Sequence, residues 1–99
     1  MITIPQIKSI VSDYCKDKPV KSVFLFGSYA RGEADENSDI DLFIDYDNTK
    51  KVVSFFDVIR LQLGLEKKLN KKVELIEEKL MYSKFKHLAE ADKIKLYEA

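Results

Sequence analysis

Residues 39 to 45 read Asp-Ile-Asp-Leu-Phe-Ile-Asp, an alternation with a period of two. In a β-strand this places Ile40, Leu42 and Ile44 on one face and Asp39, Asp41, Phe43 and Asp45 on the other. Such a strand has one side for a hydrophobic core and one side that carries carboxylates. The flanking chain supplies the remaining layers. Ile4, Ile7, Ile10, Val11 and Tyr14 recur at helical spacing, and Pro5 suits a first helical turn. Residues 16–19 break that helix. Val20 to Phe26 is short, β-branched and aromatic, and it stops at Gly27, which predicts a strand.

Polar residues from Tyr29 to Ser38 form a connection with room for one helical turn near Ala30. After the strand from Asp39 to Asp45, Asp47 and Asn48 signal a turn. A helix is expected from about Lys50 to Leu69, with Val52, Phe56, Ile59 and Leu63 as its buried stripe. Gly64 lies within that pattern, costs about 1 kcal/mol relative to alanine, and is expected to bend or loosen the helix. Asn70 is a suitable stop. Lys72 to Ile76 is a third strand, with Val73 and Leu75 opposite Glu74 and Ile76, and Ser83 to Glu98 is expected to be a last helix through Phe85, Leu88, Ala91 and Tyr97. The expectation is an α/β (α+β) fold: a small mixed sheet of at least three strands with helices on one face, in a single domain spanning residues 1–99.

Chemistry concentrates between residues 27 and 42. Gly27, placed directly after an apolar strand, allows a sharp turn and close approach of a ligand to the backbone. Ser28 adds a hydroxyl and an N–H, an arrangement suited to phosphate. Taken alone, a Gly-Ser pair is usually a plain turn. Asp39 and Asp41 project from one face, and two carboxylates about 4 Å apart repel by roughly 4 kcal/mol at an effective dielectric near 20. Mg²⁺ is a natural guest, since it takes hard oxygen ligands, typically one or two carboxylates with substrate phosphate. An isolated Asp-x-Asp can also simply face solvent. If the two strands are neighbours, the turn and the acids converge at one end of the sheet.

Together, Gly27, Ser28, Ala30, Arg31, Gly32, Ser38, Asp39, Asp41 and Leu42 resemble the signature of the nucleotidyltransferase superfamily that includes DNA polymerase beta, and within it the minimal nucleotidyltransferases. The match is dense over residues 27–42, and element order and length extend it over most of the chain. The resemblance implies a polymerase beta-like fold, two Mg²⁺ ions held by Asp39 and Asp41, and a nucleoside triphosphate, ATP, as substrate. Gly27, Ser28, Arg31 and Ser38 would then bind the nucleotide. The family's third acid, most often Asp, corresponds to Glu74, one methylene longer; it is a metal ligand, a general base, or a solvent-facing residue of an edge strand. Arg31 either neutralises phosphate or contacts an acceptor, or it forms a surface ion pair with Glu33 or Asp35.

The same resemblance implies transfer of AMP to a macromolecular acceptor, with a HEPN-type helical protein as toxin partner and this chain as its antitoxin. A catalytically weak module that neutralises a partner by contact is the competing expectation. An aminoglycoside-type adenylyltransferase or a template-free RNA polymerase would call for a further domain or an RNA-gripping surface. Seventeen basic residues balance seventeen acidic ones, so there is no strong nucleic-acid signature. Cys15 is the only cysteine and His87 the only histidine, which excludes an intramolecular disulfide or a cysteine-based zinc site. Cys15 is expected to be a half-buried helix residue and His87 a surface residue. No apolar run reaches the roughly 18 residues of a membrane helix, so the cytoplasm is the expected location. A chain this short buries somewhat under about 70% of its unfolded surface, which favours an open cleft and association as a homodimer or hetero-oligomer.

Overall fold

A computed structural model describes residues 1–49, 51–77 and 93–99. In chain order the elements are α1 (Ile4–Cys15), β1 (Val20–Phe26), a single turn α2 (Gly27–Ala30), β2 (Ile40–Tyr46), α3 (Phe55–Leu69), β3 (Val73–Glu77) and β4 (Ile94–Glu98). Helix α1 starts at a capping box, with the Thr3 hydroxyl accepting from the Gln6 N–H and the Gln6 side chain accepting from the Thr3 N–H. Ser54 and Asp57 repeat the device at the start of α3, and Asn70 ends it in the left-handed conformation at φ 53°.

The four strands lie in the order β3-β2-β1-β4. Strand β1 pairs antiparallel with both β2 and β4, and β2 pairs parallel with β3. Because α3 supplies the long connection that a parallel pair needs, β3 is brought alongside β2 in a register that sets Ile40 against Val73 and Asp41 against Glu74. Ile7, Val11 and Cys15 of α1, Leu61, Leu65 and Leu69 of α3, and Val23, Leu25, Ile40, Leu42 and Ile44 of the sheet form one buried cluster. The helices therefore cover one face of the sheet, and Asp41 lies on the other. Cys15 is fully buried rather than half-buried, and burial pushes its thiol up to about 12, which leaves it unreactive.

Three expectations are corrected. The tail does not end in a helix: residues 94–98 are strand β4, paired with the outer edge of β1. Here Ile94 and Leu96 alternate with Lys95, and pairing satisfies an edge of β1 that would otherwise be bare. Residues 83–92, including His87, lie outside the described residues. The helix predicted from Lys50 begins at Phe55, and Val52 precedes its cap. Its buried stripe is Leu61, Leu65 and Leu69, whereas Val52, Phe56, Ile59 and Leu63 are exposed. Apolar residues occur on two faces of α3 at the same spacing, so periodicity cannot choose between them.

Helix α3 also runs unbroken through Gly64. A β-carbon there would overlap the Tyr14 hydroxyl and stand 2.6 Å from the adjoining ring carbon. Glycine at this position admits the Tyr14 ring between α1 and α3. Gly64→Ala is expected to destabilise the protein by about 1 kcal/mol, because overpacking of about 1–3 kcal/mol outweighs the gain of about 1 kcal/mol in helix propensity. Urea denaturation measures this, and an unchanged or raised midpoint would refute the packing role of Gly64.

Candidate active site

Strand β1 ends where Gly27 takes φ +75°, a conformation that strains any residue with a side chain. The chain then makes the single turn α2, closed by the Arg31 N–H donating to the Gly27 carbonyl at 3.1 Å and the Glu33 N–H donating to the Ser28 carbonyl at 2.9 Å. Gly27 is packed directly on Asp41: a β-carbon at Gly27 would overlap a carboxylate oxygen of Asp41. The antiparallel register places Phe26 opposite Asp41, so the turn and the acid meet at one end of the sheet.

Asp41 is half-buried, and Glu74 beside it on β3 is exposed. Burial first, then the neighbouring Glu74 carboxyl and, more weakly, Asp39 together raise the Asp41 carboxyl to about 6, against the opposing charge of Arg31. Asp39 is exposed and lies one residue ahead of β2. Among the described residues no three acids stand together as a ready metal cage. The structure brings Asp41 and Glu74 together, with Asp39 at the rim. Two carboxylates forced this close favour a proton or a cation between them, and a pair with one further acid nearby suits Mg²⁺, which is commonly held by one or two carboxylates.

The connection before β2 is a turn organised from within. The Ser38 hydroxyl accepts from the Asp35 N–H at 2.9 Å and donates to the Asp35 carboxylate at 3.2 Å. Ser38 is thus engaged in shaping the approach to Asp39. Arg31 makes the surface ion pair with Glu33, at 3.1 Å, while remaining close enough to influence Asp41.

Two contributors escaped the sequence reading. Lys71 donates to the Glu36 carbonyl at 2.9 Å and sits 5.8 Å from the Tyr29 ring centre, tying the connection to the turn. The Phe26 and Phe43 rings stack at 3.7 Å, within 5° of parallel, on the carboxylate face of the sheet. No local signal marks Lys71, since its partners lie 35 and 42 residues away. The alternation did place Phe43 beside Asp41, but it could not show that Phe26 would cover it. A cavity of about 230 Å³ lined by Tyr14, Val20, Tyr46 and Leu61 lies at the opposite end of the strands. The carboxylate chemistry lies elsewhere, so enclosure alone does not locate the site.

A glycine turn packed on an acid pair, at one end of a mixed sheet backed by helices, defines a small nucleotidyltransferase. The chain belongs to that family: the model of the nucleotidyltransferase domain matches residues 5–97. It is 43% identical over 89 residues to a proposed protein adenylyltransferase of Methanocaldococcus jannaschii, covering 86% of this chain and 88% of that one. Among solved structures, it superposes on a proposed minimal nucleotidyltransferase with a TM-score of 0.74 and 28% identity, covering 91% of this chain and 88% of that one. It also superposes on a chain of a Shewanella oneidensis complex between a tri-AMPylated HEPN toxin and an MNT antitoxin, with a TM-score of 0.69 and 15% identity over 96% of this chain and 72% of that one.

Unfolded aspartate titrates near 3.8 and folded Asp41 near 6. Between these values the folded state holds more protons than the unfolded one. The contribution of Asp41 to stability is therefore present below about pH 3.8 and lost as pH rises through about 6. Glu74→Gln is expected to shift the Asp41 titration downward, as read by carbon NMR of the side-chain carboxyl. An unmoved titration would show that the two side chains do not interact.

Proposed function

We propose that this protein transfers AMP from ATP to a hydroxyl of a protein acceptor, and that the acceptor is a HEPN-type helical toxin for which it serves as antitoxin. The observation that carries this reading is the Gly27 turn packed on Asp41, with Glu74 alongside. The relative named as a protein adenylyltransferase and the AMPylated toxin complex support the choice of group and acceptor.

Asp41 and Glu74 would hold Mg²⁺, with Asp39 joining from the rim, and a second ion would share the same acids. Bound there, Mg²⁺ neutralises triphosphate charge and favours departure of pyrophosphate. The backbone of Gly27 and Ser28 would follow the phosphates, the absence of a side chain at Gly27 letting the turn pack against Asp41. Arg31, already near Asp41, adds positive charge on the phosphate side. Ser38 acts indirectly, by setting the turn that delivers Asp39. Glu74, exposed beside Asp41, is the group available to take the proton of the attacking hydroxyl. The acceptor oxygen attacks the α-phosphorus and pyrophosphate leaves. Glu74 and Asp39 are exposed, which suits an acceptor as large as another protein.

The test combines titration calorimetry with ATP, with and without Mg²⁺, and transfer of α-labelled phosphate to a co-expressed HEPN partner. Asp41→Asn is expected to abolish metal-dependent binding and to reduce transfer by about 100-fold or more, and EDTA is expected to do the same to the wild type. A variant that keeps neutralising its partner without transfer would favour the contact-only reading. Transfer unaffected by Asp41→Asn would overturn the assignment.

A further inference from the structure

Residues 34–39, which carry Asp39 to the rim of the site, are bonded mainly among themselves. Asp35, Asn37 and Ser38 supply donors and acceptors to one another. Among the described residues, the one hydrogen bond that joins this segment to the rest of the fold is the Lys71 ammonium donating to the Glu36 carbonyl, at 2.9 Å. The next tie comes directly after Asp39, where the Ile40 N–H donates to the Lys72 carbonyl at 3.0 Å. Asp39 therefore stands between two attachments, both made to consecutive residues just ahead of β3. The Lys71 ammonium also lies 5.8 Å from the centre of the Tyr29 ring, within the roughly 6 Å over which a cation attracts an aromatic face. Tyr29 is only 4% exposed, so its ring is a fixed point on α2, next to Ser28. Lys71 is itself half-buried.

We propose that Lys71 is a positioning residue for the transfer site. Its ammonium clasps the glycine turn, the Asp39 segment and the strand of Glu74 at one point, and so sets the distance at which Asp39 joins Asp41 and Glu74. This role rests on the metal-assisted reading given above. Mg²⁺ demands near-ideal ligand geometry, yet Asp39 is exposed and precedes β2, so neither burial nor strand pairing holds it. Without the clasp, ordering of the segment would fall to the binding event and weaken it. A long, flexible stem lets lysine reach a carbonyl 35 residues away while its charge faces the ring. A lysine acting by charge alone would do the opposite, since a cation beside a metal site repels the metal. The two roles give opposite signs when the ammonium is removed.

Mn²⁺ without nucleotide, with the free ion read by electron paramagnetic resonance, separates them in the full chain. Lys71→Met keeps the stem and removes the ammonium. It is expected to weaken Mn²⁺ binding by about 5- to 10-fold, and to speed hydrogen exchange of the Asn37 and Ser38 amides by about 5-fold, as suits loss of one tethering hydrogen bond. The thermal melt is expected to stay near that of the wild type, and Lys71→Gln gives the same reading should the methionine variant fold poorly. Lys71→Arg, which keeps a charged donor that also covers aromatic faces, is expected to bring both readouts back to within about 3-fold of wild type. Mn²⁺ binding that is unchanged or tighter in Lys71→Met overturns the proposal, and so does amide exchange that keeps its wild-type rate. A wild type that binds no Mn²⁺ counts against the metal reading of the site; amide exchange then decides the clasp by itself, acceleration upholding it and unchanged rates overturning it.

Discussion

Asp41 and Glu74 repel one another, and the fold nonetheless holds them side by side. The parallel pairing of β2 with β3 imposes it, since the register that matches Ile40 with Val73 in the core necessarily matches Asp41 with Glu74 on the opposite face. Apolar burial on one side of the sheet thus sustains charge repulsion on the other. A cation bound between the carboxylates would relieve that repulsion, which makes the same arrangement a binding site.

The remaining elements serve this placement. Helix α3 is the connection that lets β3 run parallel to β2, and its buried leucines press both strands from the helical face. Gly27 leaves room for the Asp41 carboxylate where any other residue would displace it. Lys71 and the Ser38–Asp35 turn secure the segment that leads into Asp39. The site consequently draws on residues from 26 to 74.

How much of this was legible in the sequence differs from element to element. Strand β2 is legible nearly residue for residue, because its alternation separates Ile40, Leu42 and Ile44 from the acids. Strand β4 was misread as helix: its five residues are too few for periodicity to decide, and its identity depends on the vacant edge of β1. The buried side of α3 is not legible, because both faces are apolar and helical spacing is blind to direction. Arg31 had two readings, and the structure places it in the ion pair with Glu33. The family motif is legible because its parts are local: a glycine after a strand and acids two residues apart lie close together in the chain.

The sequence by itself determined the elements from α1 to β3, the face of β2 that carries acid, and the family, since each follows from local spacing or from a dense motif. The resemblance already named Glu74 as the third acid; only the tertiary structure decided that it meets Asp41 while Asp39 stays at the rim, that Ser38 is occupied within its own turn, and which side of α3 is buried. Those outcomes depend on the parallel register of β2 and β3 and on the placement of the helices against the sheet. Asp41 and Glu74 alone stand 33 positions apart, a separation at which side-chain periodicity carries no information.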